Sequence, residues 1–153
     1  MSEPRQRYVL FVCTGNTCRS PMAEAIATSL LADAPQTRSI TEVGSAGVGA
    51  AEGEQTTFEA VQALNRLGVP PAAKRSRALT RDLIVQADAI FGMTRSHVRA
   101  ILALTPDARG KVELLDPDGE DIPDPIGGDQ SVYTQAAERI RRAIQRRIKE
   151  QRL

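Results

Sequence analysis

Cys13, Cys18 and Arg19 crowd into one short run, Val12-Cys-Thr-Gly-Asn-Thr-Cys-Arg-Ser-Pro21. Five residues separate Cys13 from Arg19, and a hydroxyl follows at Ser20. A bound phosphate needs several donors aimed at one point. A tight loop feeding a helix N-terminus supplies them from backbone N–H groups. Gly15 permits a sharp turn and close backbone approach, and Asn16 tolerates a left-handed conformation better than most residues. Thr14 and Thr17 complete the cradle. The planar fork of Arg19 suits two phosphate oxygens. The field that draws a dianion into such a loop also favours the thiolate of Cys13 at its base. Ser20 can donate a hydrogen bond to that sulfur. A phosphorylated cysteine is the chemistry this combination suggests; for a lone Cys or Arg a structural role would win.

The elements flanking the run fit that purpose. Tyr8 to Val12 reads as a buried strand, and Pro21, Met22, Ala25, Ile26 and Leu30 open a helix. Asp33 to Arg38 reads as a turn. A second strand is expected over 40–43, ended by Gly44-Ser-Ala-Gly47. Phe58, Val61, Leu64 and Leu67 give a helix closed by Gly68. Thr80 caps a short helix through Ala87. Asp88 to Met93 and Val112 to Leu115 are further strands, with a helix carrying Val98, Ile101, Leu102 and Leu104 between them. A polar loop spans Asp116 to Asp129, and Val132, Ala136, Ile140, Ile144 and Ile148 mark a last helix. The expected fold is α/β: one domain over 1–153, a doubly wound four-stranded parallel sheet with helices on both faces. Such sheets bind ligands beyond the carboxyl ends of their strands, where Cys13 to Arg19 lies.

Composition narrows the class. Hydrophobic residues make up 41% and charged ones 25% of 153 residues, ordinary for one globular domain. Net charge is +1, so the chain as a whole is no polyanion binder. Two cysteines in one loop cannot staple distant parts of a fold, which points to a reducing cytoplasm. The polar start and the short apolar run after it predict neither a secretory signal nor a membrane segment. No Gly-x-x-x-x-Gly-Lys-Ser/Thr or dinucleotide fingerprint is present. Two cysteines and one histidine leave too few soft ligands for a metal site, and no cofactor is called for.

Attack by Cys13 on a phosphorylated side chain needs a proton for the leaving group. His97, the one histidine, reads as a partly exposed helical residue. Asp124 in Ile122-Pro-Asp-Pro-Ile-Gly-Gly128 is a better donor, with Asp121 and Asp129 behind it, although proline-rich loops also hold Asp for turn reasons alone.

The run from Val12 to Ala25 resembles the signature of low-molecular-weight protein tyrosine phosphatases. Ser45-Ala-Gly47, Ser76-Arg-Ala-Leu-Thr80 and Asp124-Pro-Ile-Gly-Gly128 are similar to that family's further motifs, in the same order. The resemblance implies the flavodoxin-like fold of that family, Cys13 as nucleophile, Arg19 as phosphate clamp and Asp124 as acid and then base. It implies that Ser45 supports Asn16. Cys18 resembles the family's second loop cysteine, either a redox partner of Cys13 or a small filler. The family often carries His where Lys74 stands, so this part of the bracing departs from the pattern. The implied partner is a phosphorylated protein; no nucleic acid and no membrane are expected, and a monomer is.

Position 17 bears on the substrate. Tyrosine-specific members usually have a bulky aliphatic residue there, and members with Thr resemble protein arginine phosphatases. An aromatic residue often follows the acid's Pro in tyrosine-specific members; Ile126 stands there instead. Both features favour phosphoarginine over phosphotyrosine. Thiol-linked arsenate reductases share the loop but relay electrons through cysteines that this chain lacks. The many arginines of the last helix read as a solvated face, with docking to an acidic partner as the sharper alternative.

Overall fold

The computed structural model describes residues 6–33, 41–150 and 152–153. Along them run β1 (Arg7–Cys13), α1 (Arg19–Ala32), β2 (Thr41–Gly47), α2 (Phe58–Arg66), α3 (Arg81–Gln86), β3 (Ala89–Gly92), α4 (Arg95–Leu104), β4 (Val112–Leu114) and α5 (Gln130–Lys149). All four strands are parallel, in the order β2-β1-β3-β4.

Successive β1 side chains alternate between the two faces of the sheet. Val9, Phe11 and Cys13 enter the core beneath α1, α2 and α5, against Met22, Ile26, Leu64, Ile140 and Ile144. Leu10 and Val12 enter the opposite core with Ile84, Ile90 and Ile101, beneath α3 and α4. Because β1 is covered on both faces, its sequence is continuously apolar rather than alternating. The chain leaves β1 towards β2 on one side and returns to β3 on the other. This reversal opens a crevice at the carboxyl end of β1, where ligands bind in such sheets.

Local boundaries differ from expectation in three places. The second strand does not stop before Gly44; it continues to Gly47, whose backbone pairs with Cys13 and is bridged by Ala78. Ile40 and most of the expected turn from Asp33 lie outside the described residues. The first helix begins at Arg19 instead of Pro21. A 3-10 turn over Pro106–Lys111 had no distinct sequence signal. Among the described residues no helix is long and apolar enough to cross a membrane.

Arg147 ties the last helix to the sheet. Its guanidinium donates to the carbonyls of Leu114 and Leu115 and lies 5.4 Å from the centre of the Phe91 ring. Arg139 and Arg146 pair with Asp116 and Asp118 at 3.3 and 2.8 Å. Part of the basic face therefore fastens α5 to the sheet and to the loop after β4, and Arg147 is buried there and not on the solvated face that was expected.

Candidate active site

The loop between β1 and α1 turns on Asn16. Its φ is +56°, the one positive value at a non-glycine residue among the described residues. Left-handed backbone costs an ordinary residue about 1–2 kcal/mol. Asn16 is held there by three side-chain bonds. Its Nδ2 donates to Ser20 Oγ at 2.8 Å and to Ser45 Oγ at 2.9 Å, and its Oδ1 accepts from Arg77 N at 2.9 Å. Gly47 lets β2 end against this turn. A Cβ there would run into the Thr14 carbonyl and the backbone nitrogen of Asn16. The amides of Val48 and Gly49 bind the carbonyls of Cys13 and Thr14, so the far side of the loop is fixed as well.

Cys13 is buried at the base of the loop. Its Sγ lies 2.8 Å from Ser20 Oγ and accepts from the Asn16 amide at 3.3 Å. Directly beyond it α1 begins, and here the helices differ. Thr57, Thr80, Thr94 and Asp129 each cap the amides of α2, α3, α4 and α5 with a side-chain oxygen. Among the described α-helices α1 alone starts on a residue, Cys18, that makes no such bond. A helix N-terminus carries orphan N–H donors and a partial positive charge, and one without a side-chain cap offers both to an anion.

Arg19 is 4% exposed, yet two contacts aim it. Its Nη1 donates to the Ile122 carbonyl at 2.9 Å, and its Nη2 lies 3.5 Å from Asp124 Oδ2. Asp124 itself is 42% exposed at the side chain, and its other oxygen accepts from the Ile126 amide at 3.0 Å. A turn closed by Gly128 N on the Pro125 carbonyl, with φ of +86° at Gly127, places Ile126 at the tip. The two fallback acids have structural tasks. Asp121 accepts from the Arg95 amide. Asp129 caps α5 and accepts from Ser131 Oγ, which holds its carboxyl below the ordinary carboxylate range.

His97 does not sit partly exposed as its helical position suggested; it is 3% exposed and touches the loop. Its Nδ1 accepts from the Thr94 amide, closing a reciprocal cap at the start of α4. The remaining proton of a neutral ring is then on Nε2, which faces Thr14 Oγ1 at 2.8 Å. Burial, then the nearby Arg19 cation, pushes its pKa from 6.5 down to about 4, against the opposing pull of Asp121 and Asp124.

Thr17 lines the same loop, half-buried. Its carbonyl accepts from the Thr57 amide, and its hydroxyl has only a 3.8 Å contact to Cys18 Sγ among the described residues. Cys18 is buried against Thr57 Oγ1 and Tyr133 Oη, at 3.6 and 4.0 Å. Sequence reasoning missed Glu24, Arg77, Thr57 and the contact of His97. Only Glu24 left a visible signal: an acid inside the α1 stretch of Met, Ala and Ile, all buried from Arg19 to Ala27.

Thus Cys13, Arg19, Asp124 and the loop residues Thr14 to Ser20 are gathered at one end of β1, with Ser45 beside Asn16. Residues 8–152 match the family model described as low molecular weight phosphotyrosine protein phosphatase. The chain belongs to that family. It is similar to a protein-arginine-phosphatase of Geobacillus stearothermophilus, 41% identical over 143 residues, spanning 90% of this chain and 91% of that one. It also resembles the low molecular weight protein-tyrosine-phosphatase PtpB of Staphylococcus epidermidis, 33% identical over 134 residues, 86% of this chain and 90% of the other. Among solved structures, a Cys-to-Ser mutant of YwlE arginine phosphatase with a phosphorylated active-site serine aligns with a TM-score of 0.86 at 33% identity, covering 94% of each chain. The family's cysteine-dependent phosphatase chemistry is therefore that of this chain.

Proposed function

We propose that this chain hydrolyses phosphoarginine in proteins, in two steps through a phosphorylated Cys13. The thiolate attacks phosphorus and the bond from phosphorus to the substrate nitrogen breaks; Asp124 delivers the proton to that nitrogen. Asp124 then takes a proton from water, which attacks the phosphocysteine and returns the thiolate. The uncapped α1 amides and Arg19 hold the equatorial oxygens through both steps. The Ser20 hydroxyl stabilises the sulfur when it leaves. The carrying observation is the placement of Cys13 Sγ between Ser20 Oγ and the Asn16 amide at that uncapped terminus. The phosphorylated serine in the related YwlE mutant supports the covalent step.

Phosphoarginine is favoured by Thr17. Its side chain presents a hydroxyl where an aliphatic wall would exclude a planar guanidine or the water that follows it. Ile126, 64% exposed and followed by two glycines, offers no ring to sandwich a phenol. The Geobacillus relative, a protein-arginine-phosphatase by name, agrees. Phosphotyrosine is the second reading, supported by the name of the Staphylococcus relative. One peptide carrying either modification decides between them. Wild type should prefer phosphoarginine, and Thr17→Ile should shift the ratio of kcat/KM towards phosphotyrosine by about tenfold or more. A wild type that strongly prefers phosphotyrosine overturns the preference. We place the enzyme in the cytoplasm, acting as a monomer, since thiolate chemistry needs reducing surroundings.

A further inference from the structure

A continuous chain of polar contacts runs from the surface to the buried sulfur. Lys74 Nζ lies 3.1 Å from Glu24 Oε2. Glu24 Oε1 accepts from Ser45 Oγ at 2.7 Å. Ser45 Oγ accepts from Asn16 Nδ2, which also donates to Ser20 Oγ, and Ser20 Oγ reaches Cys13 Sγ. Lys74 is 58% exposed at its side chain and Glu24 only 4%.

We propose that Lys74 is a positioning residue for Cys13, acting through Glu24 and this chain of hydrogen bonds. The claim rests on Cys13 being the nucleophile.

Donor and acceptor counting gives the chain one direction. An ammonium only donates and a carboxylate only accepts. The single proton of Ser45 therefore goes to Glu24, and its lone pair is left for Asn16. The two protons of the Asn16 amide are then used, one on each serine. The amide cannot flip, because its oxygen already accepts from Arg77 N. Ser20 accepts from Asn16 and so keeps its own proton for the sulfur of Cys13. This ordering is the one that stabilises a thiolate and later a departing sulfur.

The ordering needs Glu24 Oε1 held against Ser45 by a side chain that is only 4% exposed. A buried carboxylate without a counter-charge is strongly disfavoured. Without its cation Glu24 turns from Ser45 towards water, and the chain loses the acceptor that orders it. Lys74 prevents this from a half-exposed position, without touching the loop.

The test compares K74M, K74R, E24Q and E24Q/K74M in the full chain. It measures kcat and KM on a phosphorylated peptide, the rate of Cys13 alkylation by iodoacetamide at fixed pH, and the melting temperature. Removing the cation in K74M should lower kcat by about tenfold, with KM changed less than about twofold. Cys13 alkylation should slow in parallel. K74R should stay within about twofold of wild type, since the charge is kept. Gln at position 24 still accepts from Ser45 but needs no counter-ion, so E24Q/K74M should behave as E24Q does. A folded K74M with wild-type kcat and alkylation overturns the proposal. So does an equal loss from K74M in both backgrounds; if K74M alone is too unstable to assay, a loss of about tenfold on going from E24Q to E24Q/K74M overturns it by itself. If wild type turns over no phosphorylated peptide while K74M still slows alkylation, the relay stands and the phosphatase reading falls.

Discussion

The two loops that meet at the crevice are built on opposite principles. In the phosphate loop Cys13, Asn16, Arg19 and Ser20 are all under 5% exposed, and each is gripped by a neighbour from another part of the chain or the loop itself. In the acid loop Asp124 is 42% exposed and Ile126 64%, and the carboxylate's fixed contacts are one backbone amide and a 3.5 Å approach to Arg19. The difference fits the roles proposed for the two loops. Stabilising a dianion depends on donors already in place before the substrate arrives. A proton donor must trade its proton with water, and the loop carrying it must let a protein side chain in and out.

Removing the sulfur breaks the rigid side outright. Cys13→Ser should lower kcat by about 10⁴-fold or more, because a serine oxygen attacks less readily than a thiolate and leaves phosphorus far less readily. Its melting temperature should stay close to wild type, as one atom is exchanged in place. Activity within tenfold of wild type would remove Cys13 from the mechanism. Arg19→Ala should approach the same loss, through KM as well as kcat.

The exposed side should give a smaller and conditional effect. Asp124→Asn is expected to lower kcat by about 10²–10³-fold on a substrate with a poor leaving group. On an aryl phosphate whose leaving group needs no proton, the first step should be nearly spared and a burst of phenol should appear. Equal losses on both substrates would mean that Asp124 acts by position or charge and not as an acid. Stability should barely change, since the side chain is half in water.

Asn16 separates conformation from hydrogen bonding within the rigid loop. Asn16→Gly keeps the left-handed backbone accessible but deletes three side-chain bonds; Asn16→Ala loses both. Three net bonds of about 1 kcal/mol each correspond to roughly 10²-fold in kcat/KM. If Asn16→Gly retained wild-type activity, backbone shape alone would suffice and the comparison would lose its force.

How legible these two regions were also differs. The phosphate loop could be read because its constraints are local: a nucleophile, a glycine, a left-handed Asn and an Arg in one run between strand and helix. The fold followed from the apolar run at Tyr8 and the helical spacings at Val61 or Ile140, which short-range periodicity encodes. What surrounds the loop was not legible. Glu24, Arg77 and Thr57 reach it from α1 and from segments far along the chain, and their roles exist only once the sheet has closed. His97 reads as an ordinary helical position because its partner, Thr14, lies 83 residues away. The second strand was cut short at Gly44 since glycine ordinarily weakens strands. Here Gly44 leaves room for Tyr8 Oη and Arg77 Nη2, the ends of two long side chains that a Cβ would displace.

His97 joins the two regions, bonded to Thr14 on the rigid side and within the field of Asp121 and Asp124 on the other. Its pKa falls from 6.5 to about 4 on folding. The unfolded chain therefore binds a proton near pH 6.5 that the folded chain refuses until about pH 4. Stability rises with pH wherever the unfolded state holds more protons, so the contribution of His97 is complete above pH 6.5 and drains away as pH falls towards 4. The drain is at most about 3 kcal/mol. His97→Asn keeps an acceptor for the Thr94 amide but does not titrate. Urea unfolding followed from neutral pH downwards should show wild type losing stability faster than His97→Asn across this window. Parallel curves would mean that the imidazole takes its proton as readily folded as unfolded, and that the buried side of the site is as open to protons as the acid loop facing it.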